Sequence, residues 1–424
     1  MNKNEILSEV LRYASEHKKE PRTDVVPASG VEITPEDIAS IVDVALSGWY
    51  TEHKVCAKFK RELSKYLRKQ HVTLVNSGSS ANLIALTSCL EYFNSSQKYI
   101  VTCATNFPTT VAPIYQNNKI PIYIDINPYT LSPDLAQLAY VMRKYRKEIA
   151  GVFLAHTLGF PFDEKRVSEI IEDKFFITDN CDAIGCMLDK DAPVGHYADA
   201  STYSFFPAHH ISTVEGGAIT TYNRELGRIM NSYVNWGRDC YCLPGNSNTC
   251  GKRFSHTWEK LPDGWDHKYI FSRVGYNLKM TELQAALGLS QLSRIEDIIH
   301  KRRKNFFYLS STLGDRYDYL LFPKFNFMNV SPFGCPILIN KNAPFTANEL
   351  IAHLESNNIS TRRVFAGNIT RQPGYQDLPY ISVDMKESDY VMENMFWTGC
   401  QDKLTGKQLV YVKDKIIEFM ERYI

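Results

Sequence analysis

What the sequence lacks narrows it first. No segment approaches the ~20 consecutive apolar residues of a membrane helix, and the N-terminal stretch MNKNEILSEVLRYASEHKKEPRTD holds no apolar run long enough for a signal peptide. These absences predict a soluble, cytoplasmic protein with no membrane partner. Charge of one sign is not in excess either: 48 Lys and Arg stand against 47 Asp and Glu, a net of +1, so nothing points to nucleic acid or another polyanion. The densest basic run, HKRRKNFF (300–307), reads as the solvated face of a helix. No period of roughly 20 to 50 residues repeats and no low-complexity tract occurs, which excludes solenoids and disordered tails. The ten cysteines read as free thiols of a reducing compartment. Most fit as small core residues, and clustered ones become candidate metal ligands.

What is present is an alternation. The 424 residues, 44% hydrophobic, are ample for two or three domains and a large core. ITPEDIASIVDVALSG carries a helix start and stops at Gly48, and CAKFKRELSKYLRK is a second helix before the strand-like HVTLV. After NSGSS come the helix ANLIALTSCLEYF and the runs KYIVTCA, IPIYIDI, IAGVFLAHT and FFITDNC, apolar on both faces and separated by helix-sized stretches. That pattern predicts an α/β fold around a buried, mostly parallel sheet. TELQAALGLSQLSRIEDIIHKRRKNFFYLSSTL, with a capping box from Thr281 to Gln284, predicts one long helix leading into a smaller C-terminal α+β domain. SPFGCPILI and ISTRRVF supply strands there, and TANELIAHLESNN a helix. The division expected is an N-terminal helical segment (1–35), a large α/β domain (36–300) and a small domain (301–424).

Two stretches suggest chemistry. VNSGSSANLIAL is strand, small-residue turn and helix, which aims the backbone N–H groups of Gly78, Ser79 and Ser80 and a helix dipole at one spot, an anion site. A serine-capped tight turn explains the same residues. No Gly-Lys-Ser/Thr follows, so it is not a P-loop, and it does not match the dinucleotide fingerprint. FFITDNCDAIG ends a strand with Asp179 at the edge where open α/β sheets bind ligands, although an Asp there also caps helices. A carboxylate beside a phosphate cradle has one known use, to keep a pyridinium nitrogen protonated.

NSGSSANL, TNFPTT, ITDNCDAIG, SFFPAHHISTVEGGAITT and VGYNLKMTELQAALG occur in an order that resembles the sugar aminotransferase family of fold-type I pyridoxal-phosphate enzymes over nearly the whole chain. The resemblance implies the aspartate aminotransferase-like fold. It implies that Gly78, Ser79, Ser80 and Ser204 hold the cofactor phosphate, Phe107 stacks on the ring, and Asp179 pairs with its nitrogen. Asn277 would reach the phosphate in the other subunit of a homodimer. The chain departs from the family at one place: His209 stands where the aminotransferases carry their Schiff-base lysine. An imidazole has no primary amine, but with an ordinary pKa near ~6.5 it moves protons at neutral pH. This matches the dehydratase branch. There pyridoxamine 5'-phosphate (PMP) condenses with the C4 ketone of a nucleotide-linked 4-keto-6-deoxyhexose, a histidine takes a proton from the cofactor, and the C3 hydroxyl leaves. His209 is thus the candidate base, and His210 reads as structural or as its supporting neighbour.

DCYCLPGNSNTCGKRF places Cys240, Cys242 and Cys250 within eleven residues of an otherwise polar, loop-like segment, which core packing does not explain. Thiolate ligation admits zinc or an iron–sulfur cluster, and Cys181, two residues after Asp179, is the candidate fourth ligand. The spacing resembles the iron–sulfur CDP-4-keto-6-deoxyglucose 3-dehydratases of 3,6-dideoxyhexose biosynthesis. It implies a 2Fe-2S cluster on these four cysteines, fed by a separate NAD(P)H-dependent flavin and iron–sulfur reductase, in a pathway to lipopolysaccharide O-antigen. His53 and Lys54 in GWYTEHKVCAKF depart from that pattern near the substrate. Two other readings stand beside it: a cluster-free, colitose-type PMP dehydratase with glutamate as amine donor, and a catalytically idle binding protein on the same fold.

Overall fold

The apolar runs become strands β1 (His71–Val75), β2 (Tyr99–Cys103), β3 (Ile120–Ile124), β4 (Ile149–Ala155), β5 (Phe175–Asp179), β6 (Ala200–Ser204) and β7 (Gly217–Thr221), in a computed structural model that describes residues 1–18 and 22–423. Five more follow: β8 (Leu320–Leu321), β9 (Cys335–Ile339), β10 (Thr361–Arg363), β11 (Ile381–Ser382) and β12 (Met395–Thr398). The large sheet runs β1-β7-β6-β5-β4-β2-β3-β11. Every neighbouring pair from β6 to β11 is parallel, and β7 alone runs against both its neighbours. The mostly parallel sheet of the fold-type I family is therefore present.

Strands β5, β6 and β7 are buried along their whole length because helices cover both faces. Successive residues of β4 point to opposite sides: Phe153 packs with Ala81 and Ile84 of the helix Gly78–Tyr92, and Val152 with Leu138 and Val141 of the helix Leu135–Tyr145. Parallel strands share a carboxyl edge, so the loops after β1, β2, β4, β5 and β6 all open on one side of the sheet, the usual ligand side.

A smaller antiparallel sheet, β10-β12-β9-β8, follows. Its core also takes Val26 and Ala28 from the N-terminal segment. Val26 is tied in by backbone bonds, its N–H to the Asn358 carbonyl and its own carbonyl to the Ser360 N–H, both 2.9 Å. β11, although late in the chain, pairs with β3 at the edge of the large sheet.

One sequence expectation fails here. The single long helix is two, Glu282–Leu292 and Ile295–Gly314, although the capping box from Thr281 to Gln284 does start the first. At the break the Ser293 hydroxyl donates to the Ser290 carbonyl at 2.6 Å, competing with the helix ladder. The Arg294 guanidinium leaves the helix direction to pair with the fully buried Asp37 and to reach the Glu32 carbonyl at 3.0 Å. Among the described residues no helix is long and apolar enough to cross a membrane.

Candidate active site

The loops at the carboxyl edge, closed over by residues of the small sheet, enclose a cavity of about 860 Å³. Its floor is the turn after β1. Ser77, extended at φ −165°, caps the helix Gly78–Tyr92 by accepting the Ser80 N–H at 3.1 Å. Gly78 leaves little room: a Cβ there would lie 2.6 Å from the Ser204 Cβ and 3.1 Å from the Cys181 Sγ. Gly217 at the start of β7 presses the turn from behind, its own Cβ position 2.6 Å from the Ser77 carbonyl. Of the three expected donors, Gly78 and Ser79 line the cavity with Ser204. Ser80 does not, because its N–H is committed to Ser77 and its hydroxyl donates to Asn76 Oδ1 at 2.7 Å.

Asp179, 6% exposed, ends β5 in the cavity wall. Its Oδ2 accepts from Asn82 Nδ2 and Thr110 Oγ1, both 2.8 Å, and its Oδ1 from the Cys181 N–H at 3.0 Å. A carboxylate held by three donors, with no cation beside it among the described residues, is fixed in aim and able to receive a protonated ring nitrogen. Phe107 caps the helix Pro108–Gln116 and faces the cavity, its ring edge-on to Phe365 at 5.7 Å. Cradle, carboxylate and aromatic thus fit a pyridoxal-type cofactor.

His209 faces the same cavity, and no lysine lines it among the described residues. Its turn is held from beneath by the fully buried Arg302, whose guanidinium donates to the carbonyls of Ala208 and His209 at 3.4 and 3.2 Å. Burial, with the Arg302 charge behind it, pulls the imidazole down to about 3. Asp182 stands 3.4 Å from His209 Nδ1, and burial, then the charge of Asp179, pushes its carboxyl up to about 8. Both shifts favour the uncharged forms, and His209 Nδ1 has no hydrogen-bond partner among the described residues. His210 is fully buried and turned away, its Nε2 3.1 Å from the Ser331 carbonyl oxygen and 3.0 Å from the Ser331 hydroxyl. It is structural.

The sequence reading missed several cavity residues. Asp182 sits one residue beyond Cys181 in the quoted ITDNCDAIG, where the spacing gave it no role. Arg362 and Arg363 come from β10 across the small sheet, and neither has an ion pair among the described residues; ISTRRVF signalled only a strand. Asn277 is exposed, does not line its own chain's cavity, and bridges Asn235.

The four candidate metal cysteines are divided. Cys181 faces the cavity, with its thiol pushed well above the ordinary range by burial and the Asp179 charge. Cys240 and Cys242 line a separate cleft with Glu52, Lys60 and Arg238. Burial opposes ionisation of Cys242, but hydrogen bonding from Thr249, 2.9 Å away, wins and pulls its thiol down. Cys250 lies beside His256 and His267, with the ligand atoms of all three within 4.8 Å of one another.

Comparisons with known proteins place the chain in a family and show its fold shared. Residues 31–417 match the DegT/DnrJ/EryC1/StrS aminotransferase family. A lipopolysaccharide biosynthesis protein, RfbH of Salmonella typhimurium, is 39% identical over 94% of this chain and 92% of its own length. A dTDP-4-dehydro-2,6-dideoxy-D-glucose 3-dehydratase of Saccharopolyspora spinosa is 39% identical over 99% of this chain and 92% of its own. An E coli GDP-4-keto-6-deoxy-D-mannose-3-dehydratase, solved with bound hydrated PLP, superposes with a TM-score of 0.82 at 22% identity, covering 92% of this chain and 99% of that one. The chain belongs to the DegT/DnrJ/EryC1/StrS aminotransferase family.

Proposed function

We propose that this member of the family is a nucleotide-sugar 3-dehydratase, removing the C3 hydroxyl of a nucleotide-linked 4-keto-6-deoxyhexose with PMP as cofactor. The observation that carries the reading is His209 in a cavity without lysine. When bound, PMP supplies the amine that joins the sugar ketone and the ring that takes up electrons. The chain's own residues do the rest. Gly78, Ser79 and Ser204 bind the phosphate, Asp179 keeps the ring nitrogen protonated, and Phe107 covers the ring. The uncharged His209 takes a proton and hands it on, with its turn fixed by Arg302. Arg362 and Arg363 offer positive charge to the substrate diphosphate.

The same reading assigns a 2Fe-2S cluster to Cys181, Cys240, Cys242 and Cys250, fed with electrons by an NAD(P)H-dependent flavin and iron–sulfur reductase, and a homodimer in which Asn277 serves the partner's cofactor. Its support is the thiol-rich loop, with three cysteines in eleven residues. A 3,6-dideoxy-4-keto sugar for lipopolysaccharide O-antigen would be the product. The division of the cysteines between cavity and cleft favours one second reading, the cluster-free dehydratase with glutamate as amine donor.

The test is to incubate anaerobically purified protein with PMP, a reductant and a panel of nucleotide-4-keto-6-deoxysugars, and weigh the products. Loss of one oxygen from the sugar is expected. Transfer of the cofactor amine to the sugar would overturn the dehydratase reading. Full activity without iron or reductant, but with glutamate, would select the cluster-free form.

A further inference from the structure

Beside the cleft of Cys240 and Cys242 runs a hollow of about 590 Å³. Four cations line it, Lys60 and Arg61 from the helix Lys54–Leu67 and Arg224 and Arg228 from the helix Arg224–Val234, and among the described residues no carboxylate does. Its floor is the start of β1 at His71 and Val72. Gly227 lets the second helix sit close on that strand, since a Cβ there would lie 3.1 Å from the His71 Cβ. Arg224 and Arg228, four residues apart, share one helix face.

Two of these charges are answered within the chain. Lys60 pairs with Glu52 at 2.7 Å and Arg228 with Glu225 at 3.4 Å. Arg61 and Arg224 are exposed and have no ion pair among the described residues. Arg224 is moreover the first residue of its helix, where the dipole favours an acid, so helix stability does not account for its charge. Tyr241 joins the hollow to the thiols. It stands between Cys240 and Cys242 in the chain, is 64% exposed, and lines both the hollow and the cysteine cleft, as do Lys60, Arg228 and Asn231. The basic surface and the thiol cleft are thus one continuous face. An exposed tyrosine beside unanswered arginines suits contact with an acidic protein surface. The chain's net charge of +1 adds no wider positive field, which favours a protein over nucleic acid as the occupant.

We propose that this face receives an acidic surface of the electron-donating reductase, with Arg61 and Arg224 as charge anchors and Tyr241 as the contact beside the thiols. The assignment rests on the reading of Cys240 and Cys242 as cluster ligands and adds to it the place where electrons arrive. Replacing the C3 hydroxyl by hydrogen consumes two electrons and two protons and releases one water. NAD(P)H gives up the two electrons and one proton, and solvent gives the other proton. A 2Fe-2S carrier passes these electrons one at a time, so the donor must sit close to the thiol cleft for each transfer.

The test is calorimetric binding of the full, anaerobically purified chain to a purified NADH-dependent flavin and 2Fe-2S reductase at low and high salt, with a DNA duplex as second titrant. A complex that weakens steeply with salt is expected. Arg61→Glu combined with Arg224→Glu should weaken it by roughly tenfold or more. Arg166→Glu, at an exposed cation that lines neither the hollow nor the cleft, should leave it unchanged. Turnover driven by dithionite-reduced methyl viologen, which needs no docking, should be the same in the double variant as in the wild type. A complex indifferent to Arg61 and Arg224, an equal loss in Arg166→Glu, or tighter binding of the DNA through the same two arginines would overturn the proposal. So would a double variant that is monomeric where the wild type is dimeric, because the hollow would then belong to the contact between copies. Iron content separates the docking face from the cluster: iron-loaded protein whose complex ignores the two arginines sinks only the docking face, whereas iron-free protein whose complex depends on them sinks only the cluster.

Discussion

The cavity and the cysteine loop are built on opposite terms. In the cavity, Asp179 ends a strand and is held by Asn82 and Thr110, and the turn of His209 is held by Arg302, all far away in sequence. The loop has no helix or strand between Val234 and the single turn His267–Tyr269. Its ties are mostly local, and Tyr241, Phe254, Trp258 and Trp265 are exposed on it. A sheet edge positions catalytic groups before any ligand arrives, whereas a loop of this kind gains order from what it binds. Chemistry that needs sub-ångström aim belongs at the first.

If the comparison holds, effects should shrink from the cavity floor outward. The largest is expected for His209→Asn, which removes the base and should lower turnover by about 10²- to 10⁴-fold while PMP binding, followed by absorbance, persists. Wild-type turnover in this variant would end the assignment. Next is Gly78→Ala, whose methyl must displace Ser204 or Cys181. An overpacking cost of about 1–3 kcal/mol should appear as roughly 5- to 150-fold weaker PMP binding, checked by melting curves with and without cofactor. Arg362→Ala should raise KM about tenfold with kcat little changed, the mark of a lost charge-assisted contact to a diphosphate. An equal fall in kcat would instead place Arg362 at the reacting atoms.

The last expected effect is a pH profile. In the folded chain Asp182 keeps its proton up to about pH 8, against 3.8 for a free side chain. Its stabilisation is full below 3.8 and fades as pH rises toward 8. Asp182→Asn should therefore melt closer to the wild type, or above it, as pH climbs through that window. A constant difference in melting temperature across it would show that the carboxyl is not held protonated.

How much was legible varied with the range of the interaction. The NSGSS turn could be read because strand, turn and helix are contiguous and the cap is made within four residues, from Ser77 to Ser80. The same local rule overcounted the donors: Ser80 gives its N–H to the Ser77 cap and does not line the cavity. The break at Ser293 was hidden because the buried partner of Arg294 is Asp37, near the other end of the chain. Asp182 was visible but mute, since a carboxyl that keeps its proton looks in sequence like any other aspartate until its burial is known.

The sequence by itself determined the buried mostly parallel sheet, the cradle, the carboxylate after β5 and the missing lysine, since all follow from periodicity, strand-end position and residue type within short windows. Only the tertiary structure decided that Arg362 and Arg363 close the cavity, that His210 turns inward while His209 faces it, and that Cys250 sits with His256 and His267. These depend on which loops share an edge of the sheet and which turns are tied together. No spacing along the chain encodes a distance between elements that meet only on folding.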